Sequence, residues 1–102
     1  SGHIQDGVRV VRVAARQFEF DPERIVVRAG EQVRLELQSE DVMHGFALED
    51  YDIDKKLPPD KIVAVSFTAK QPGSHSFWCS HYCGEGHSRM TGELIMLKSE
   101  EP

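Results

Sequence analysis

Apolar and polar positions alternate through six stretches of the chain: VRVVRVAA (8–15), RIVVRA (24–29), QVRLELQS (32–39), IVAVSFTA (62–69), HSFWC (75–79) and ELIMLK (93–98). A period of two, enriched in β-branched residues, marks strands with one buried face. The pattern is cleanest in 32–39, where Val33, Leu35 and Leu37 turn one way and Arg34, Glu36 and Gln38 the other. That places the first set against a core and the second in water. In 62–69 either Val63, Val65 and Phe67 or the opposite set faces inward. Between the stretches fall DPE, AGE, LPPD and QPGS, turn sequences centred on Pro or Gly. The whole predicts an all-β sandwich without internal repeats or low-complexity segments. Residues 40–60 are the least regular, and 50–60 read as a long excursion between strands.

A chain of 102 residues suits one domain with one core, since folding at this size buries roughly 60–70% of the surface that the unfolded chain exposes. Its divisions read as a leader or expression scar (1–7), the folded domain (8–98) and an acidic tail (99–102) carrying Glu100 and Glu101. The longest apolar runs, 62–65 and 94–97, are four residues, whereas a membrane-spanning helix needs about 20. No membrane span is expected, and SGHIQDG lacks the basic start and apolar stretch of a signal peptide. The sequence reads either as a mature protein or as the soluble part of a membrane-anchored subunit. With 12 Lys and Arg against 17 Asp and Glu the net charge is −5, which argues against nucleic acid or an anionic membrane and favours a basic protein partner. Glu49, Asp50, Asp52 and Asp54 crowd into LEDYDID, in its plainest reading a solvated acidic face.

Chemistry concentrates in CSHYCGEGHSRM (79–90), which packs Cys79, His81, Cys83, His87 and Met90 into twelve positions. A helix would put Cys79, Cys83 and His87 on one face, but Gly84 and Gly86 would each cost it about 1 kcal/mol relative to Ala. A loop between strands suits the segment better. A disulfide between Cys79 and Cys83, the only two cysteines, is one open reading, although it leaves His87 and Met90 without a role. A structural zinc site of two cysteines and two histidines, with His44 of DVMHGF as the distant fourth ligand, is another. A thioether has little use in a closed zinc site, whereas thiolate, imidazole and Met sulfur together suit copper. The plain alternatives are a core-filling Met90 and a His44 that binds nothing.

One His after an early strand, then Cys, His and Met in a loop before the last strand, is the order in which cupredoxin folds gather copper ligands. FEFDPERIVVRAGEQVRLEL leads into DVMHGF and then into CSHYCGEGHSRM. This resembles the copper A (CuA) domain of subunit II of haem-copper cytochrome c oxidases, whose pattern is His, then Cys-x-x-x-Cys-x-x-x-His-x-x-Met. The resemblance runs from about residue 9 to residue 98 and implies a cupredoxin-like Greek-key β-sandwich or barrel. It further implies two copper ions bridged by the thiolates of Cys79 and Cys83, with His44 terminal on one copper and His87 on the other. Met90 would be the weak axial ligand of one ion, and the backbone carbonyl of His81 that of its neighbour. The implied role is an electron relay with no catalytic residue of its own. It would take electrons from a c-type cytochrome or small copper protein and pass them to a haem in the oxidase catalytic subunit, on the periplasmic side or outer face of the plasma membrane.

The sequence departs from that family in three ways. His81 stands where many subunit II sequences have a Glu whose side chain helps hold magnesium, so a magnesium site does not carry over. The membrane helices that precede the copper domain in that subunit are absent from this sequence. The aromatic cluster that receives electrons in many oxidases has no clear counterpart; Trp78, beside Cys79, and Tyr51 are candidates, each with a plain reading as a core residue. Two rival functions share the fold: a copper-binding chaperone or sensor, and the CuA domain of a nitrous oxide reductase-like protein.

Overall fold

The alternation in 32–39 is realised as strand β5 (Gln32–Ser39), with Val33, Leu35 and Leu37 all buried. It lies parallel to β2 (Val8–Arg16) and antiparallel to β8 (Ile62–Thr68). The pairs Val33–Phe67, Leu35–Val65 and Leu37–Val63 share its inward face, while Ile62 is 60% exposed. This resolves the choice of face in β8: Val63, Val65 and Phe67 turn inward. Two further strands, β1 (His3–Gln5) and β3 (Glu19–Asp21), each pair antiparallel with β2 and complete the first sheet.

The second sheet has the order β4 (Arg24–Arg28), β10 (Thr91–Leu97), β9 (Gly73–Trp78), β6 (His44–Leu48), β7 (Ile53–Leu57). Strands β4 and β10 run parallel, with Ile25 opposite Leu94 and Val27 opposite Met96; the remaining pairs are antiparallel. Between the sheets Phe20 from β3 meets Phe46 from β6 and Phe77 from β9, with ring centroids 5.8 and 5.2 Å away and the latter two rings 5.1 Å apart. Edge-to-face aromatic packing of this kind ties the layers together beyond the burial of area. The result is an all-β, cupredoxin-like sandwich.

The computed structural model describes residues 1–100; Glu101 and Pro102 of the expected acidic tail lie outside them. Residues 1–7, read from sequence as a leader, contain β1, and the Ser1 ammonium donates to the Val26 carbonyl at 2.8 Å. The segment 50–60 is also more regular than expected. After a short 3-10 turn (Glu49–Tyr51) it forms β7, which pairs with β6 along its whole length. Lys55 and Lys56 on this strand are exposed, which discourages further pairing at the sheet edge. No helix among the described residues is long and apolar enough to cross a membrane.

Candidate metal centre

Strands β9 and β10 form a hairpin whose connection is the segment 79–90. Trp78 pairs with Thr91 at its mouth, and Cys79 N–H donates to the Met90 carbonyl at 3.0 Å. Inside the tip, His87 N–H donates to Gly84 O at 3.1 Å, Arg89 N–H to Gly86 O at 3.0 Å and Met90 N–H to His87 O at 3.2 Å. The segment is thus an ordered loop ending in a 3-10 turn (His87–Arg89). Gly84 has φ +135°, a conformation that a side chain strongly disfavours.

Folding brings His44 to this tip from the start of β6. Its Nδ1 lies 3.8 Å from Cys79 Sγ, and Cys79 Sγ lies 3.1 Å from the His81 carbonyl oxygen. The two sulfurs are 3.4 Å apart, and both cysteines are free. On the far side, Cys83 Sγ stands 3.7 Å from His87 Nδ1 and 3.8 Å from Met90 Sδ. All six groups singled out in the sequence therefore converge, His81 through its main chain. Among the described residues, His44, Cys79 and Cys83 place their donor atoms within 4.8 Å of one another.

These spacings fit metal ligands. Two donors about 2.0–2.3 Å from one ion at a tetrahedral angle are separated by roughly 3.6 Å, close to the sulfur–nitrogen distances here. The donor set of thiols, imidazoles and a thioether is soft, which favours copper over a hard cation. His44 and Met90 are 0% exposed, Cys79 3% and Cys83 6%, so the cluster lies beneath the surface. Half-buried His87 is its most exposed donor side chain, with the Tyr82 ring 5.6 Å away and itself 69% exposed.

Several groups around the cluster hold its parts in place. Asp41 Oδ1 accepts from His44 Nε2 at 2.7 Å and from Val42 N–H at 2.6 Å, and its Oδ2 accepts from Gln17 N–H at 2.8 Å. Burial alone would push the Asp41 carboxyl up, but these donors hold it below the usual carboxylate range. The Cys83 thiol is pushed up to about 12, first by burial and then by its contact with Cys79. Gln17 Nε2 donates to the Cys83 carbonyl at 2.7 Å. A Cβ on Gly45 would lie 2.3 Å from Ser80 Oγ and 2.7 Å from His81 N, and one on Gly86 would lie 2.4 Å from the Phe18 ring. Asp41, three residues before His44, is the kind of neighbour that local spacing can suggest; Gln17, 66 residues from Cys83, leaves no such trace.

The aromatic and acidic candidates take other positions. Tyr51 stacks on Phe67 with centroids 4.7 Å apart, and its hydroxyl donates to Met96 Sδ while accepting the amides of Lys70 and Gln71. It is tied into the sandwich. Half-buried Trp78 lines a groove with Glu49, Asp52 and Asp54. Asp54 also accepts from Ser80 Oγ at 2.7 Å, and Asp50 Oδ2 meets His75 Nδ1 at 2.7 Å.

Fold and site together define a cupredoxin-like domain with a buried cluster of sulfur and imidazole donors at the tip of a hairpin. The family model described as cytochrome C oxidase subunit II, periplasmic domain, matches residues 4–98, and the chain belongs to this family. It is 35% identical over 86 residues to cytochrome c oxidase subunit 2 of Thermus thermophilus, covering 84% of this chain and 64% of that one. It is 29% identical over 98 residues to nitrous-oxide reductase of Stutzerimonas stutzeri, covering 91% of this chain but 15% of the reductase. The chain thus spans less than two thirds of either relative. In fold it is similar to the periplasmic domain of subunit II of cytochrome oxidase from Bradyrhizobium japonicum, with a TM-score of 0.81 at 19% identity, covering 90% of this chain and 86% of that one.

Proposed function

We propose that the domain is a one-electron relay that holds two copper ions at the hairpin tip. Cys79 and Cys83 would serve as shared thiolates, with His44 and the His81 carbonyl on the Cys79 side and His87 and Met90 on the Cys83 side. The observation that carries this reading is the symmetry of the cluster: two sulfurs 3.4 Å apart, each with its own imidazole nitrogen at 3.8 or 3.7 Å. A single closed site for one ion gives no reason for that duplication. When bound, such a pair supplies a one-electron redox couple whose charge is spread over two metals and two sulfurs.

The chain's own contribution is to keep the donors from moving. Asp41 fixes the His44 ring, Gly45 lets β6 press against the loop, and the sandwich excludes water from both sulfurs. Ligands that cannot relax with oxidation state keep the reorganisation small, which is what fast transfer at small driving force requires. No side chain acts as nucleophile or general base. The half-buried His87 offers an exit or entry edge for the electron. The acidic residues Glu49, Asp52 and Asp54 around Trp78 suit a basic electron donor such as a c-type cytochrome, a small copper protein being the other candidate. The acceptor would be a haem in an oxidase catalytic subunit, with the domain in the periplasm or at the outer face of the plasma membrane.

The match to nitrous-oxide reductase favours one further reading, in which the same relay feeds the active site of such an enzyme. A copper chaperone or sensor on the same fold would instead hold a single exchangeable copper. Metal analysis and electron paramagnetic resonance of copper-loaded protein test the relay: two coppers per chain and hyperfine structure from one electron shared between them support it. A mononuclear copper spectrum, or zinc alone, refutes it.

A further inference from the structure

The two segments that carry the donors come from different parts of the chain, so something must set their relative position. One is the approach to β6, ending in His44; the other is the hairpin tip. Gln17, in the turn between β2 and β3, touches both. Its main-chain N–H reaches Asp41 Oδ2 at 2.8 Å, while the other oxygen of that carboxylate takes His44 Nε2. Its side-chain Nε2 reaches the Cys83 carbonyl at 2.7 Å. The main-chain bonds of the tip run from Cys79, His87, Arg89 and Met90 to the carbonyls of Met90, Gly84, Gly86 and His87, and the Cys83 carbonyl is left to Gln17. Phe18 completes the contact from the same turn, since Cβ atoms on Gly84 or Gly86 would lie 2.8 and 2.4 Å from its ring.

Resting on the two-copper reading, we propose that Gln17 is a positioning residue that clamps the His44 segment to the Cys83 segment and so sets the equivalence of the two halves of the centre. The side chain has to donate. Glu at this position would set a carboxylate oxygen against a carbonyl oxygen, and Met would keep the length while losing the donor. Gln17 is exposed, so neither change perturbs the core.

Two measurements on Gln17→Met and Gln17→Glu test this. In the metal-free reduced protein, loss of one net hydrogen bond predicts amide exchange about two- to tenfold faster at residues 84–89, with Leu35 and Leu37 in β5 unchanged. In the copper-loaded variants, two coppers remain, their hyperfine couplings become unequal and the reduction potential shifts. Unaltered exchange in the tip, equal acceleration in β5, or a spectrum and potential identical to the parent's overturns the clamp. Should the parent protein itself show no paired copper, the relay reading fails on its own, while the exchange comparison still decides whether Gln17 holds the tip.

Discussion

His44 Nε2 lies 2.7 Å from Asp41 Oδ1, and since a carboxylate accepts, Nε2 donates to it and Nδ1 is the nitrogen turned toward Cys79. The tautomer a metal ligand needs is therefore set by a carboxylate outside the cluster. Asp41→Ala is expected to weaken copper affinity by about 10- to 100-fold, measured by competition with a chelator, and Asp41→Asn, which keeps an accepting oxygen, by less. Unchanged affinity in Asp41→Ala would show that packing alone orients the ring.

In the proposed relay the two thiolates are shared, which would make each sulfur indispensable to the pair. Cys79→Ser and Cys83→Ser are each expected to lose the two-copper centre and keep at most one copper with a different spectrum. Met90→Leu is milder, because a long thioether contact is a weak ligand: two coppers should persist with a shifted reduction potential. Paired, spin-coupled copper in either Ser variant contradicts the assignment.

His81 is the residue that most resembles a ligand in the sequence, yet it is its carbonyl that approaches Cys79. His81→Ala and His81→Gln should keep both coppers and the delocalised spectrum, while His44→Ala and His87→Ala each remove a nitrogen donor and damage the centre. Copper stoichiometry and spin-resonance spectra of the four variants, taken side by side, check this. Copper loss in His81→Ala with a normal spectrum in His44→Ala reverses it.

Cys83 carries its proton at neutral pH, since burial and the Cys79 sulfur push its thiol up to about 12. A metal takes the thiolate, so loading must expel that proton. Apparent copper affinity should consequently rise with pH below about 12, by up to tenfold per pH unit for each proton released. Titration in weak buffer at pH 7 should show acidification on loading, and an affinity independent of pH between 6 and 8 would mean that the thiolate is already formed.

Much of the sandwich can be read along the chain because β5 and β8 have one dry and one wet face, and alternation reports that difference directly. Strand β6 is invisible to the same test. All five residues from His44 to Leu48 are buried, with neighbours covering both faces, so no period of two survives. In β7 exposed Asp54, Lys55 and Lys56 stand between Ile53 and the buried Leu57, a pattern that reads as loop. The donor groups of the tip are legible because they are contiguous, and their conversion into a cluster with His44 follows only from β6 lying beside β9. Gln17 acts by bonds across the fold and carries no periodic or compositional mark, whereas Asp41, three residues from His44, lies within reach of local spacing.

Gly45 adds an evolutionary consequence. Because a methyl group there would overlap the backbone nitrogen of His81 as well as the Ser80 hydroxyl, no rotamer change could make room for it; the loop itself would have to move. Position 45 therefore admits a one-letter alphabet for as long as His44 and Cys79 are to share a ligand sphere, whereas exposed Tyr82 can vary without disturbing that constraint. Drift among descendants of this domain should accumulate on the exposed rim of the hairpin tip and stop abruptly where the tip packs against Gly45 of β6.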